Sequence, residues 1–218
     1  MTSDFSDILH SETAALWQAA TRHRFTEEIF AGTLSDAHLR RYLVQDYQFI
    51  DRFTALLGAA IAAADHYPAR VRLSQFAAMI TGDENTYFQR CFDYLGVPEA
   101  ERTAPALLPV TRQFQELMRE AADTRSYVCA LAVLCVAEGL YLDWADRPDS
   151  PLPQSGFRHA EWITLHANPF FRGFVAWLRA ELARTGAAAS ETERQQARSL
   201  FHRAVSLECA FFDAVYED

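Results

Sequence analysis

SYVCALAVLCVAEGLYLDWADR, the stretch from Ser126 to Arg147, is a nearly unbroken apolar run that nevertheless carries Cys135, Glu138, Tyr141 and Asp143. A helix that is hydrophobic on every side belongs inside a protein rather than on its surface. A carboxyl such as Glu138 is rarely buried without a partner, because desolvating its ionised form costs several kcal/mol. The run therefore reads as a central helix whose acid is either satisfied by a polar neighbour or kept for chemistry.

Working outward, nearly every other segment follows a 3.6-residue period, and no alternating stretch is bounded by turn residues, so the fold is expected to be all-α. The periodicity predicts a first helix over Ser6 to Thr21 with Leu9, Ala15, Leu16 and Ala19 toward one side, then a short helix from Thr26 to Ala31 closed by Gly32. Ser35 reads as the N-cap of a long helix to Ala64, with Leu39, Tyr42, Leu43, Phe49, Ile50, Phe53, Leu57 and Ile61 as its core stripe. Asp46 falls at helical spacing with Leu43, Phe49, Ile50 and Phe53, which sets a second acid on an apolar face.

Pro68 opens a helix over Ala69 to Met79, and Gly82 with Asp83 is expected to break or bend the line before Glu84 to Leu95. Glu84 there shares a face with Tyr87, Phe88 and Cys91, a third embedded acid. A loop containing Pro105 and Pro109 follows, then a helix over Thr111 to Ala122 with Phe114, Leu117 and Met118 inward, then the central run.

PDSPLPQSG, from Pro148 to Gly156, is the strongest break in the chain and reads as a loop. Beyond it come helices over Phe157 to His166 and Phe170 to Arg184, the second with Phe174, Val175, Trp177 and Leu178 buried. TGAAAS, Thr185 to Ser190, reads as a flexible turn, and Ser190 with Glu193 forms a capping-box pattern for a last helix to Tyr216. That helix sets Glu208 among Val205, Phe211, Phe212 and Val215, the fourth embedded acid. About nine helices around one core, in a single domain over residues 1–218, are expected.

Composition narrows the business of such a chain. Half of the 218 residues are hydrophobic and 13% aromatic, and 29 acidic against 20 basic residues leave a net charge of -9. Nucleic acid and anionic membrane both reward a basic face, so neither is an expected partner. No stretch reaches about 18 uncharged apolar residues, and MTSDFSDILH lacks a basic region ahead of an apolar run, so a cytoplasmic protein acting on a small molecule is expected. Cys91, Cys129, Cys135 and Cys209 form no CxxC pair, which favours buried free thiols over a zinc knuckle or a disulfide frame.

Asp46, Glu84, Glu138 and Glu208 each have a structural explanation as a cap, a helix-to-helix hydrogen bond or an ion pair. Together they favour a polar site inside a bundle. A carboxylate-bridged metal pair in such a bundle uses Glu-x-x-His, which does not occur here, so neither a metal nor a cofactor is expected. GxSxG, P-loop and strand-borne GxGxxG patterns are missing too. Hydrolysis of a small aromatic ligand suits the residues better: carboxyls hydrogen-bond ring nitrogens and amino groups, rings stack on the faces, and one of a carboxyl pair donates a proton while the other activates water.

Five segments then resemble the TenA / thiaminase II family: RRYLVQDYQFIDRF (Arg40 to Phe53), GDENTYFQRCFDYLGV (Gly82 to Val97), VLCVAEGLYLDWA (Val133 to Ala145), EWITLHANPFFRGFVAWLRAEL (Glu161 to Leu182) and LECAFFDAVY (Leu207 to Tyr216). The resemblance implies a haem-oxygenase-like helical bundle, a homo-oligomer that is a tetramer or dimer, and salvage of the thiamin pyrimidine by hydrolysis of an aminomethyl- or formylaminomethyl-pyrimidine to the hydroxymethyl form with release of ammonia. It assigns Asp46 to the ring nitrogen and amino group of the pyrimidine, Glu208 to catalysis and Phe211 to the pocket. Phe49 and Phe114 stand where tyrosines occur in the better-known branch, and His166 replaces a third. The cysteine branch reads Pro-Cys-x-x-x-Tyr, whereas here Leu134 precedes Cys135 and Gly139 takes the tyrosine position. The spacing Glu138-x-x-Tyr141-x-x-Trp144 is similar to the branch without the catalytic cysteine, which makes Glu138 and Glu208 the expected acid/base pair and leaves Cys135 the rival nucleophile. Glu84 and Tyr141 complete the expected pocket. A pyrimidine-binding regulator that has lost turnover, or a haem-oxygenase-like metal oxidase, are the alternatives.

Overall fold

The computed structural model describes residues 3–154 and 156–217; Met1, Thr2 and Asp218 lie outside them, as does Ser155 of the expected 148–156 loop. Among the described residues there is no strand, and eleven α-helices run in the order α1 (Phe5–Thr21), α2 (Arg24–Ala31), α3 (Asp36–Ala63), α4 (Tyr67–Met79), α5 (Asn85–Tyr94), α6 (Glu99–Thr103), α7 (Pro109–Asp123), α8 (Tyr127–Ala145), α9 (Phe157–His166), α10 (Pro169–Ala188) and α11 (Glu191–Asp213). A single π-helical turn, Ile80–Glu84, joins α4 to α5.

The central run is α8, and it is the axle of the molecule. All but Leu142 and Asp143 of its residues are buried, and α1, α3, α7, α9, α10 and α11 pack around it. Its length and apolar composition would suffice to cross a membrane, with a mean hydropathy of 1.7, but 89% of that window is buried within the bundle. It has no polar face to give to water, so the surrounding helices supply every surface it needs.

Those helices begin where their sequences say. The Ser35 hydroxyl accepts from the His38 amide and caps α3, Gly32 closes α2 at φ 70, and Ser190 and Glu193 form a reciprocal capping box at α11. Along α3 the stripe Leu39, Tyr42, Leu43, Asp46, Phe49, Phe53 and Leu57 is buried, while Ile50 and Ile61 are only partly so.

Several elements depart from the sequence expectation. In α1 the buried stripe is Phe5, Leu9, Thr13 and Trp17; Ala15 and Ala19 face water and Leu16 is 43% exposed. The two large rings set the helix phase, and Trp17 Nε1 donates to Asp143 Oδ2 at 2.9 Å to tie α1 onto α8. Gly82 and Asp83 do not break the chain, because the π turn carries the helix straight through them. A short helix, α6, occupies part of the expected loop, Pro109 opens α7 rather than belonging to a loop, and Trp177 is only half-buried. α11 stops at Asp213 rather than Tyr216.

The turn expected over TGAAAS shrinks to Ala189 and Ser190: α10 runs on to Ala188, with the Thr185 hydroxyl donating to the Glu181 carbonyl at 2.8 Å. Gly186 is there for closeness, since a Cβ at that position would lie 2.2 Å from Phe5 Cδ1. Of the four free thiols, Cys91, Cys129 and Cys135 are buried and Cys209 is half-buried.

Candidate active site

Four helical segments, α8 among them, bring polar groups to one point. Asp46 comes from the middle of α3, Glu84 from the π turn, Glu138 and Tyr141 from α8, and Trp162 and His166 from α9. Together with Phe49, Ile50, Ile80 and Ala137 they line a cavity of about 20 Å³. That is room for roughly one water molecule.

Ile80 and Glu84, four positions apart on the π turn, both face it. Its i→i+5 hydrogen bonding widens the turn beyond the α-helical 3.6 residues, so four residues bring the chain almost fully round.

Glu208, on α11, is fully buried behind these residues, and its Oε1 has no hydrogen-bond partner. Tyr42 and Tyr141 meet hydroxyl to hydroxyl at 2.6 Å, and the Tyr42 hydroxyl draws the Asp46 carboxyl down against burial. Either hydroxyl of this pair can donate to the other, so the two phenols form a polar pair beside the acid. His166 Nδ1 lies 2.9 Å from the Trp162 carbonyl and donates to it, so in the neutral ring that burial favours, Nε2 is left as the acceptor. Trp162 and Tyr141 pack on His166 at 4.4 and 4.8 Å between ring centroids.

No lysine or arginine lines the cavity, so nothing there offsets the acids. Burial pushes Asp46 up to about 7, against the pull of the Tyr42 hydroxyl. Burial, then the charge of Asp46, pushes Glu84 up to about 8. Glu138 is held well above the carboxylate range by burial and then by Glu84, Glu208 and Asp46; Glu208 is raised by burial and then by Asp46. Burial lowers His166 to about 4, with the Trp162 carbonyl opposing. Carboxyls crowded without a counter-cation share protons, so the cluster holds hydrogen-bond donors as well as acceptors near neutrality.

Of the residues expected from sequence, Asp46, Phe49, Glu84, Glu138, Tyr141 and His166 line the cavity. Phe114 stands one row back, edge-on to Phe49 at 5.0 Å, and Phe211 packs edge-on against Tyr42 at 5.8 Å. Cys135 is elsewhere. It does not line the cavity; it lies one helical turn before Gly139, whose Cα faces Trp17 and Arg179 on the α1 and α10 side of α8. Burial raises its thiol far from the thiolate range, with the Arg179 charge opposing. Neither position nor acidity suits it for attack.

Tyr42, Ile80 and Trp162 belong to the site without having been singled out for it. The sequence does hold one usable signal, the i, i+4 spacing of Trp162 and His166 on α9. A histidine, an aspartate and a glutamate whose ligand atoms lie within 4.8 Å of one another do occur, at Asp65, His66 and Glu181, away from this cavity. Arg184 already bridges both acids there, at 2.8 Å from Asp65 and 2.7 Å from Glu181.

Residues 10–218 match the model of the TENA/THI-4/PQQC family. An aminopyrimidine aminohydrolase of Halalkalibacterium halodurans is 20% identical over 215 residues, which cover 98% of this chain and 96% of that protein. A TenA homologue from P. horikoshii OT3 superposes with a TM-score of 0.83 at 18% identity, covering 98% of this chain and 99% of that one. A domain of unknown function with a haem-oxygenase-like fold, from Shewanella denitrificans OS217, superposes at 0.57 and 15% identity over 96% of this chain and 90% of that one.

Proposed function

The chain belongs to the TENA/THI-4/PQQC family and has a haem-oxygenase-like all-helical fold, and on that premise we propose that it is a hydrolase of thiamin-derived pyrimidines. The reaction is replacement of the amine of an aminomethyl-pyrimidine by water, giving the hydroxymethyl-pyrimidine and ammonia. The observation that carries this reading is a set of four buried carboxyls, Asp46, Glu84 and Glu138 lining an aromatic cavity that no lysine or arginine lines, and Glu208 buried behind it.

Asp46, with Tyr42 and Tyr141 behind it, suits the ring nitrogen and amino group, since a carboxyl that can hold or release its proton pairs with both an acceptor and a donor. Phe49, Tyr141 and Trp162 offer ring faces and edges to the pyrimidine. Glu208, with one partnerless oxygen, accepts the proton of the attacking water. Glu138, crowded by three other acids and so the better proton holder, keeps the departing nitrogen protonated. The water oxygen bonds to the exocyclic methylene as the carbon–nitrogen bond breaks, and the proton taken by Glu208 leaves with product or solvent.

The test is release of ammonia from synthetic aminomethyl-pyrimidine, and of formamide from its N-formyl derivative, by the purified protein, with the hydroxymethyl product followed by chromatography. Turnover of neither, together with calorimetric binding of the hydroxymethyl-pyrimidine, would make the chain a pyrimidine-binding regulator instead. A cytoplasmic homo-oligomer, dimer or tetramer, is part of the same proposal, and a monomer in analytical ultracentrifugation would remove that part.

A further inference from the structure

Glu84 is not used by the acid/base pair, yet it is as well placed as either member. It is 4% exposed and lines the inner cavity beside Asp46 and Glu138. No hydrogen bond or ion pair among the described residues satisfies its carboxyl, and the groups that press on it are burial and Asp46. An acid this deep without a partner is costly to keep unless a ligand supplies one.

Its position along the chain says which end of a ligand that is. Its neighbours Ile80, Thr81 and Asn85 line a second, outer chamber of about 550 Å³, which also includes Tyr47, Gln48, Ile50 and Arg102. Ile50 and Ile80 are common to both spaces, so the π turn is the wall between them and Glu84 stands on its inner side. The outer chamber is of ligand size and the inner one is not, so a pyrimidine enters by displacing side chains on this wall. With the ring on Asp46, as the hydrolase reading has it, the exocyclic substituent falls to the other acids that line the cavity, Glu84 on the π turn and Glu138.

We propose that Glu84 is a specificity-determining carboxylate that reads the positive charge on the substrate's exocyclic amine, selecting a primary alkylammonium over its neutral N-acyl derivative. The inference rests on the hydrolase reading and narrows its substrate class. An alkylammonium brings the cation that the acid cluster lacks, and it carries three donors for carboxylate oxygens. A formylated nitrogen brings no charge and one donor. Glu84→Gln keeps the shape and removes the charge, so it separates the two.

The experiment compares wild type and Glu84→Gln on aminomethyl-pyrimidine and on its N-formyl derivative, with calorimetric binding of neutral hydroxymethyl-pyrimidine to show that the site is intact. The expected result is a loss of roughly 10- to 100-fold in kcat/KM for the amine, mostly in KM, the size of a charge-assisted hydrogen bond. The N-formyl substrate and the alcohol change less than about threefold, and Glu84→Asp recovers part of the loss, which also serves if the Gln variant does not fold. Equal loss on both substrates, or no loss on either, overturns the proposal. If wild type hydrolyses neither compound, the hydrolase reading falls by itself, and binding decides this one: wild type must bind the amine more tightly than the alcohol, and Glu84→Gln must erase the difference.

Discussion

At the scale of the residue, α8 sets two candidates three positions apart and gives them opposite surroundings. Cys135 packs toward the Trp17 and Arg179 side with its thiol raised by burial, whereas Glu138 opens on the cavity. Cys135→Ser is therefore expected to keep most ammonia release, while Glu208→Gln and Glu138→Gln each reduce kcat by about 10²- to 10⁴-fold, the usual contribution of a positioned acid or base. A dead Cys135→Ser beside an active Glu208→Gln would reverse the assignment. Tyr42 acts through Asp46. Tyr42→Phe deletes one hydroxyl of the 2.6 Å pair, the one that draws the Asp46 carboxyl down, so the proposed pyrimidine contact loses its support. KM is expected to rise about tenfold with kcat little changed, since a neutral buried hydrogen bond is worth about 1 to 1.5 kcal/mol. A fall in kcat alone would place the tyrosine in the chemistry instead.

At the scale of the element, the least conspicuous contact is the easiest to test. Gly186→Ala puts a methyl group into the Phe5 ring, and the atoms it meets at 2.2, 2.6 and 2.7 Å belong to a fully packed side chain. Overpacking of this kind costs about 1 to 3 kcal/mol, so a thermal melt should fall by roughly 2 to 12 °C. Unchanged melting would mean that α1 and α10 slide apart freely. The same glycine shows what sequence could not give. In TGAAAS a glycine between small residues reads as a turn, because a close approach from Phe5, far away in the chain, leaves no local trace. The outward turn of Ala15, Leu16 and Ala19 has a related reason: alanines tolerate water, a single exposed leucine is tolerated too, and it is the larger Phe5 and Trp17 that fix the face. The embedded acids were legible because a carboxyl at a core-face position is improbable without a purpose. Ile80 and Trp162 were not, since an apolar side chain looks the same whether a neighbour or a cavity lies behind it. Nor can periodicity say which face of α8 sees the cavity, because every face of α8 is apolar.

At the scale of the whole molecule, the acid cluster is a stability cost carried for the site, and its sign with pH can be worked out. Asp46 moves from 3.8 to about 7 and Glu84 from 4.5 to about 8 on folding, and Glu138 and Glu208 are raised as well. A carboxyl whose pKa rises on folding binds protons more tightly in the folded chain, so stability declines as pH climbs from the unfolded to the folded value. The opposing groups act lower down. His10, His159 and His166 are lowered from 6.5, which raises stability with pH only up to that point, and acids paired to arginines, such as Glu27, Asp65 and Asp146, act below their ordinary values. The window from pH 6.5 to 8 thus belongs to the cluster, where each proton held by the folded state costs about 1.4 kcal/mol per pH unit. Ligand-free protein is expected to lose several degrees of melting temperature across that window, and Glu138→Gln, which leaves one acid fewer to ionise, should flatten the slope and raise the melt at pH 8. A melting temperature that climbs between pH 6.5 and 8 would mean that the four carboxyls are ionised together and paired with a cation, contrary to the cation-free cavity on which the proposed chemistry depends.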